Sequence, residues 1–129
     1  MIYELDGGNR KQQKIVDDAM TFVDSCLNLP DNVHVEIVLG NFPSCGCICL
    51  DTEDGIAYFL VEINNRHSTE ELVIGIFHEM KHVEQTVNNR LDEGKWRGVD
   101  HSDTPYFERP WEIEAYAFEE ETYSKWTNC

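Results

Sequence analysis

The apolar positions in the first third of the chain follow two different periods. From about Asn9 to Leu29 they recur at three- and four-residue spacing, which predicts an amphipathic helix with one buried stripe. We expect that helix to end before Pro30, because a proline disfavours helical geometry in the residue that precedes it. From 33 to 39 every second residue is apolar, the period of a strand with one face on a core.

Two more apolar runs predict further strands. One passes through the cysteine-rich stretch 45–49 to Leu50, and the other covers 56–63 and is rich in β-branched and aromatic residues. The acidic segment 51–55 between them is interpreted as a hairpin turn, because it lacks the alternating oxygen ligands and distal glutamate of a calcium loop. The succession predicts a meander.

The second half of the chain predicts two helices. Ser68 and Glu71 have the spacing of a capping box, so a helix should begin there, and its apolar stripe continues to about Asn88 or Leu91. Residues 92–108 show no sustained period and are rich in turn formers, which predicts a long loop. Pro110 suits the first turn of a closing helix to about Trp126.

These elements predict an α+β fold in one domain over residues 1–129. A small antiparallel or mixed sheet should pack against an N-terminal helix, a helix carrying the segment 78–82 and a C-terminal helix carrying glutamates. No apolar run approaches the roughly 20 residues of a membrane helix, and the N-terminus lacks the charged segment followed by an apolar segment that is typical of a secretory signal. We therefore expect a cytoplasmic monomer.

The charge balance limits the classes of partner that we expect the protein to bind. There are 25 acidic and 10 basic residues, a net charge of -15, which repels phosphate backbones and anionic membrane surfaces. We expect no direct nucleic-acid binding and no membrane binding. One alternative stays open, an inhibitor whose acidic surface imitates DNA, although an acidic excess more commonly marks a solvated surface.

The five cysteines do not suggest a disulfide framework. An odd number cannot all pair within the chain, and the spacing of Cys45, Cys47 and Cys49 differs from the two-residue spacing of a zinc knuckle. On a strand the three thiols would share one face. We predict reduced, partly buried cysteines, with Cys129 free and exposed.

The segment 78–82, His-Glu-Met-Lys-His, carries the strongest candidate chemistry. On a helix His78 and His82 are one turn apart on the same side, so two imidazoles can bind one metal ion. Glu79 is offset by one residue and can reach a metal-activated water as a general base. The alternative is two half-exposed histidines on an amphipathic helix with a glutamate on its solvent side.

A catalytic zinc site requires a third protein ligand. The remaining histidines and the carboxylates of the last helix are the candidates. Glu112 and Glu114 stand in an otherwise apolar helix start, where charge needs an explanation, although one of them could simply favour the helix dipole. They are about 200 degrees apart on a helix, so at most one can face the site. The histidines in question are His34, His67 and His101.

The HExxH motif at 78–82 and the ExxAY motif at 112–116 together resemble the gluzincin metallopeptidases. In size the chain is similar to their minimal single-domain forms, the minigluzincins. The resemblance implies a Zn²⁺-dependent endopeptidase with Glu112 as the third ligand, and it places Tyr116 where the family has an Asp or Asn that supports a ligand. The Glu-x-x-Ala-x-x-Phe run is also similar to the small ImmA-type peptidases associated with phage repressor control.

Further roles follow if the site is real. The oxyanion of peptide hydrolysis needs a donor besides zinc, and Tyr106 or His101 could supply it from the predicted loop, although a surface role suits each of them as well. The run from Gly55 to Ile63 resembles the strand that pairs with an extended peptide or protein substrate in gluzincin-like folds, the alternative being an ordinary core strand. A catalytically weak zinc-binding regulatory module of phage type also stays open.

Overall fold

The computed structural model describes residues 1–50 and 52–128, and the predicted α+β class is confirmed. The described chain contains three α-helices, a mixed four-stranded sheet and a small antiparallel sheet. The elements in chain order are β1 (Ile2–Asp6), α1 (Arg10–Leu27), β2 (Val33–Gly40), β3 (Gly46–Cys49), β4 (Ala57–Asn64), α2 (Thr69–Val87), β5 (Leu91–Asp92), β6 (Lys95–Trp96), β7 (Val99–Asp100), a 3-10 turn (Tyr106–Glu108) and α3 (Pro110–Thr127).

The strand order of the main sheet is β1-β2-β4-β3, so the predicted meander is wrong. β2 is parallel to both β1 and β4, and only β3 runs antiparallel, at the edge beside β4. Periodicity reports which face of a strand is buried and carries no information on which strands are neighbours. The same holds for β1, which the sequence reasoning missed: α1 is the crossover that lets it pair with β2.

The core lies between α1, α2 and one face of the main sheet. The alternating residues of β2 and β4 that face the helices are buried, including Val35, Ile37 and Phe59. Phe77 and Met80 of α2 enter the same core with no exposed surface. Burying each such side chain contributes roughly 1.5–3 kcal/mol, so α2 is held firmly against the sheet.

The helix starts agree with their sequence signals. Ser68 accepts a hydrogen bond from Glu71 N at 3.2 Å, and Ser68 N donates to Glu71 Oε1 at 3.0 Å, so the predicted capping box is confirmed. α1 is capped in the same way by Asn9 and ends at Asn28, whose φ of 52° is left-handed. Pro110 occupies the first turn of α3, as predicted. None of the helices in these described ranges has the length and apolar content needed to cross a membrane.

The predicted loop over 92–108 is wrong in its first half. Residues 91–100 form three antiparallel strands of two residues each, joined by the turns Glu93-Gly94 and Arg97-Gly98. All four turn residues have positive φ, between 46° and 84°, as two-residue hairpin turns of type I′ require. Such short strands leave no period to detect, but two X-Gly pairs four residues apart were an available signal.

The cysteines agree in part with expectation. Among the described residues Cys26, Cys45 and Cys47 are free thiols; Cys45 and Cys47 are partly buried, whereas Cys26 and Cys49 are exposed rather than partly buried. The predictions for Cys129 and for the first residue of the hairpin turn at 51–55 lie outside the described residues.

Candidate metal centre

The α2 helix buries its two histidines beside the core. His78 is 7% exposed, His82 9% and Glu79 6%, so the alternative of half-exposed histidines with a solvent-side glutamate is wrong. The rings of the two histidines are 4.9 Å apart between centroids. Both imidazoles therefore face the same small volume between α2 and α3.

The α3 helix brings Glu112 into that volume. Its Oε1 atom lies 2.9 Å from His78 Nε2 and 3.1 Å from His82 Nε2. Three ligands of a tetrahedral zinc ion, each about 2.0–2.1 Å from the metal, are about 3.3 Å from one another, so these separations are close to those of a coordination shell. We call His78, His82 and Glu112 the metal cluster.

The other nitrogen of each histidine is already engaged. His82 Nδ1 lies 2.8 Å from Gln85 Oε1, and Gln85 Nε2 donates to Trp111 O at 3.0 Å, which fixes the orientation of the amide. Gln85 Oε1 is therefore an acceptor, and His82 Nδ1 carries the proton. His78 Nδ1 lies 3.3 Å from Glu119 Oε1, which imposes the same tautomer. In both neutral rings the Nε2 lone pair points at Glu112.

Three acceptors that converge in this way require a cation between them. Burial lowers the pKa of His78, but its hydrogen bonds to Glu112 and Glu119 outweigh burial and raise the pKa to about 9. Burial opposes ionisation of Glu112, yet the two imidazoles hold its pKa at about 2. A proton can fill the place, and so can a divalent metal, whose binding releases that proton. Two imidazole nitrogens and one carboxylate oxygen are a donor set that fits Zn²⁺.

Glu79 lies against the same cluster. One ligand atom from each of His78, Glu79 and His82 fits within 4.8 Å of the others, so Glu79 and Glu112 are both near enough to complete a metal site. We favour Glu112 as the third ligand, because its Oε1 atom contacts both imidazoles. Burial raises the pKa of Glu79, and the charges of the two histidines partly offset this. Glu79 is thus a carboxylate of increased basicity beside the cluster.

Glu114 belongs to a second polar cluster, which does not include Glu112. Arg90 Nη1 donates to Glu114 at 2.5 and 2.7 Å, and Arg90 Nη2 donates to Glu84 Oε2 at 2.5 Å. We call Glu84, Arg90 and Glu114 the arginine cluster. Gln85 joins the two clusters, since its Nε2 also donates to Glu114 at 3.2 Å. The two glutamates face different ways, as their spacing on the helix predicts.

Two cavities flank Glu79. The His82-side cavity, about 620 Å³, is bordered by His82, Glu112 and Arg109, and all three cysteines of the stretch 45–49 line it. The His78-side cavity, about 320 Å³, is bordered by His78 and Glu119. Cys45, Glu79 and Tyr106 line both. The candidate centre therefore lies midway along a cleft.

The strand that borders this cleft is β3, so the predicted role for Gly55 to Ile63 is wrong. β4 is paired on both sides, with β2 and with β3, and has no edge to offer a substrate. Leu50 N donates to Tyr58 O at 2.8 Å, so by alternation the main-chain groups of Cys47 point away from the sheet. The open edge of β3 is where an extended chain can add.

The two predicted oxyanion donors lie in different places. Tyr106 lines both cavities, and burial, followed by hydrogen bonding to Tyr116 and the charge of Glu112, raises the pKa of its hydroxyl. His101 Nδ1 instead lies 3.1 Å from Thr104 Oγ1, with its ring 5.9 Å from that of Trp111. His101 is outside the linings of both cavities.

The other residues that the sequence offered for the site do not enter the metal cluster. His34 Nε2 lies 4.0 Å from Glu4 Oε1 on the sheet, and His67 Nε2 lies 3.3 Å from Cys45 Sγ. Tyr116 packs its ring 4.6 Å from that of His78, while Glu119 contacts the Nδ1 atom.

Sequence reasoning missed the supporting residues Gln85 and Glu119. Each is spaced to face the cluster, Gln85 three residues after His82 and Glu119 seven after Glu112. Helical spacing could have found both as candidates, but it could not show which histidine nitrogen each one contacts.

Comparisons of the chain with protein-family models, with curated proteins and with solved structures found no match.

Proposed function

We propose that this protein is a zinc-dependent endopeptidase of gluzincin-like type. The observation that carries the proposal is the convergence of His78 Nε2 and His82 Nε2 on Glu112 Oε1 in a cleft, with both Nδ1 atoms already hydrogen-bonded. A polar cluster with three acceptors and no internal cation is costly unless a metal or protons neutralise it. A general base and an open strand edge beside it suit peptide hydrolysis.

The chain's own residues divide the work. His78, His82 and Glu112 would hold Zn²⁺, which when bound supplies Lewis acidity to a peptide carbonyl and to a water molecule. Glu79 accepts the proton of the attacking water and passes it to the leaving amine, and its raised pKa suits that exchange near neutral pH. Tyr106 stays protonated, since its pKa is raised, and donates a hydrogen bond to the developing oxyanion.

The substrate in this proposal is a peptide or protein segment bound in extended form. The main-chain groups of Cys47 at the open edge of β3 would pair with it, which positions one peptide bond beside Glu79. The net charge of -15 favours a protein substrate over nucleic acid or an anionic membrane. Unpaired thiols at Cys26, Cys45 and Cys47 suit a reducing compartment, so we propose that the enzyme acts in the cytoplasm, as a monomer.

The proposal is tested by zinc content and by peptide cleavage in the same preparation. We expect one zinc per chain, cleavage that a chelator abolishes, and at least a hundredfold loss of turnover in Glu79→Gln with the zinc retained. One zinc per chain without cleavage would instead indicate a regulatory zinc-binding module. A chain without stoichiometric zinc would contradict both and leave the acidic DNA-mimicking inhibitor.

A further inference from the structure

The cleft continues beyond the His78-side cavity along the junction of α2 and α3. A third cavity of about 310 Å³ shares Ile74, Tyr116 and Glu119 with it and adds Glu120. Together they make one groove that begins at Glu79 and runs outward. We call it the His78-side groove, and its principal walls are Glu71, Ile74, Gly75, Tyr116, Glu119 and Glu120.

The charge of this groove differs from that of the other half of the cleft. Its lining carries four carboxylates, that of Glu79 included, and, among the described lining residues, no lysine or arginine. The lining also includes His78, which pairs with Glu112 and Glu119. A second histidine, His67, has its Nδ1 3.8 Å from Glu71 Oε2. Hydrogen bonds from Ser68 lower the pKa of Glu71, so this carboxylate is ionised at neutral pH. In the His82-side cavity, by contrast, Arg109 shares the walls with acidic residues.

The groove also has an apolar part. Ile74 and the ring of Tyr116, which is 40% exposed, offer surface to an aliphatic stem, and Gly75 leaves space between them and Cys45. A lysine or arginine side chain has this composite character, an apolar stem with a cationic end. An aromatic face near the cation adds attraction.

We propose that the His78-side groove binds a lysine or arginine side chain of the substrate, next to the scissile bond on the side of His78. This inference rests on the proposed peptidase function and adds its specificity. The stem packs on Ile74 and Tyr116, and the cation is stabilised by Glu71 and Glu120. Glu119 adds its charge at the base of the groove, where its Oε1 also accepts from His78.

A pair of matched variants separates the groove from the net charge. Glu71→Gln with Glu120→Gln removes two groove charges, and glutamine at 71 can keep the capping box. Glu70→Gln with Glu121→Gln makes the same change of charge on the same helices at residues outside the cavity linings. Both pairs are placed in the Glu79→Gln background, so that binding is measured without cleavage.

The probes are blocked fluorescent decapeptides that carry lysine, norleucine or glutamate at one position, each titrated by anisotropy. We expect lysine to bind about tenfold more tightly than norleucine, which has the same stem without the charge. The preference should fall to about twofold in the groove variant and stay unchanged in the control variant. Equal binding of lysine and norleucine, an equal loss in both variants, or no binding by any peptide would overturn the proposal.

Cleavage of the same peptides by the zinc-loaded native protein distinguishes failure of the groove assignment from failure of the proposed peptidase function. Cleavage with no preference for lysine would overturn the groove assignment and leave the peptidase function standing. Lysine-selective binding that depends on Glu71 and Glu120, without cleavage, would support the groove and count against the peptidase.

Discussion

The metal cluster is buried between α2 and α3 and the arginine cluster is partly buried, and the two balance their charges differently. In the arginine cluster Arg90 lies between the carboxylates of Glu84 and Glu114, so the cation is part of the chain. In the metal cluster two imidazoles and Glu112 face each other with no lysine or arginine among the contacts that the structure describes. The arginine cluster neutralises its charges with side chains of the protein, whereas the metal cluster needs a bound proton or a metal ion to do so.

The largest effect should separate the two glutamates of α3. Glu112→Gln removes the charge of the proposed third ligand, and we expect zinc affinity to fall about a thousandfold or more, because the carboxylate would supply both a bond and charge neutralisation. Glu114→Gln should change it less than about tenfold, since Glu114 acts through Gln85. Competition titration with a chromophoric chelator measures both. A larger loss of zinc affinity in Glu114→Gln than in Glu112→Gln would contradict the assignment of Glu112 as the third ligand.

The clusters should also respond to pH in opposite directions in the metal-free protein. His78 has a pKa of about 9 against an ordinary 6.5, so its pairing with Glu112 stabilises the fold fully below pH 6.5 and is lost as the pH rises through 9. Arg90 holds the pKa values of Glu84 and Glu114 below 4.5 despite burial, so the arginine cluster stabilises above that pH and weakens in acid.

Urea unfolding of the metal-free protein tests the alkaline half of this contrast. We expect the free energy of unfolding to fall by about 3 kcal/mol as the pH rises from roughly 6.5 to 9, and to stay level with zinc bound. A metal-free protein of constant stability over that range would show that the imidazoles do not carry the extra proton.

Breaking the arginine cluster should affect the fold more than the metal. Arg90→Met keeps a long stem near the ring of Trp96 but removes the cation that pairs with both carboxylates. Lys81, 2.6 Å from Glu84 Oε1, remains as a partial substitute, so we expect a cost of about 2 kcal/mol. Lys14→Met is the control, because its pair with Asp18 is exposed and worth roughly 0.5 kcal/mol or less. Denaturant midpoints compare the two. Equal losses would mean that the arginine cluster is no more than a surface ion pair.

The smallest effect should come from the contact behind His78. Glu119→Leu removes the acceptor for Nδ1 and should weaken zinc binding about tenfold, while Glu119→Gln keeps an oxygen there and should weaken it less. Isothermal titration with zinc measures both. Identical losses in the two variants would indicate that Glu119 acts through its charge alone.

The local parts of the fold could be predicted from the sequence. The buried stripes of α1 and α2, the alternation in β2, the Ser68 cap and Pro110 all depend on neighbours within a few residues, and the structure agrees with them. That Glu112 and Glu114 face different ways follows from the same helical geometry, whereas the choice of Glu112 came from the resemblance to the gluzincins.

The predictions that were wrong or missing concern contacts between residues that are far apart in the sequence. Neither the parallel arrangement of β2 and β4 nor the open edge at β3 leaves a mark on the period of any one strand. The contacts of Glu119 with His78 and of Gln85 with His82 require the angle between α2 and α3, which no spacing within one helix specifies. For this reason the members of the metal cluster could be predicted from the sequence, whereas the contacts that support them could not.

Zinc-edge X-ray absorption of the protein as purified tests the central claim most directly. The proposed centre predicts one zinc per chain in a shell of nitrogen and oxygen at about 2.0–2.1 Å, with the scattering pattern of two imidazoles. A sulfur shell at about 2.3 Å would assign the metal to the cysteines that line the same cleft, Cys45, Cys47 and Cys49, and would contradict the account.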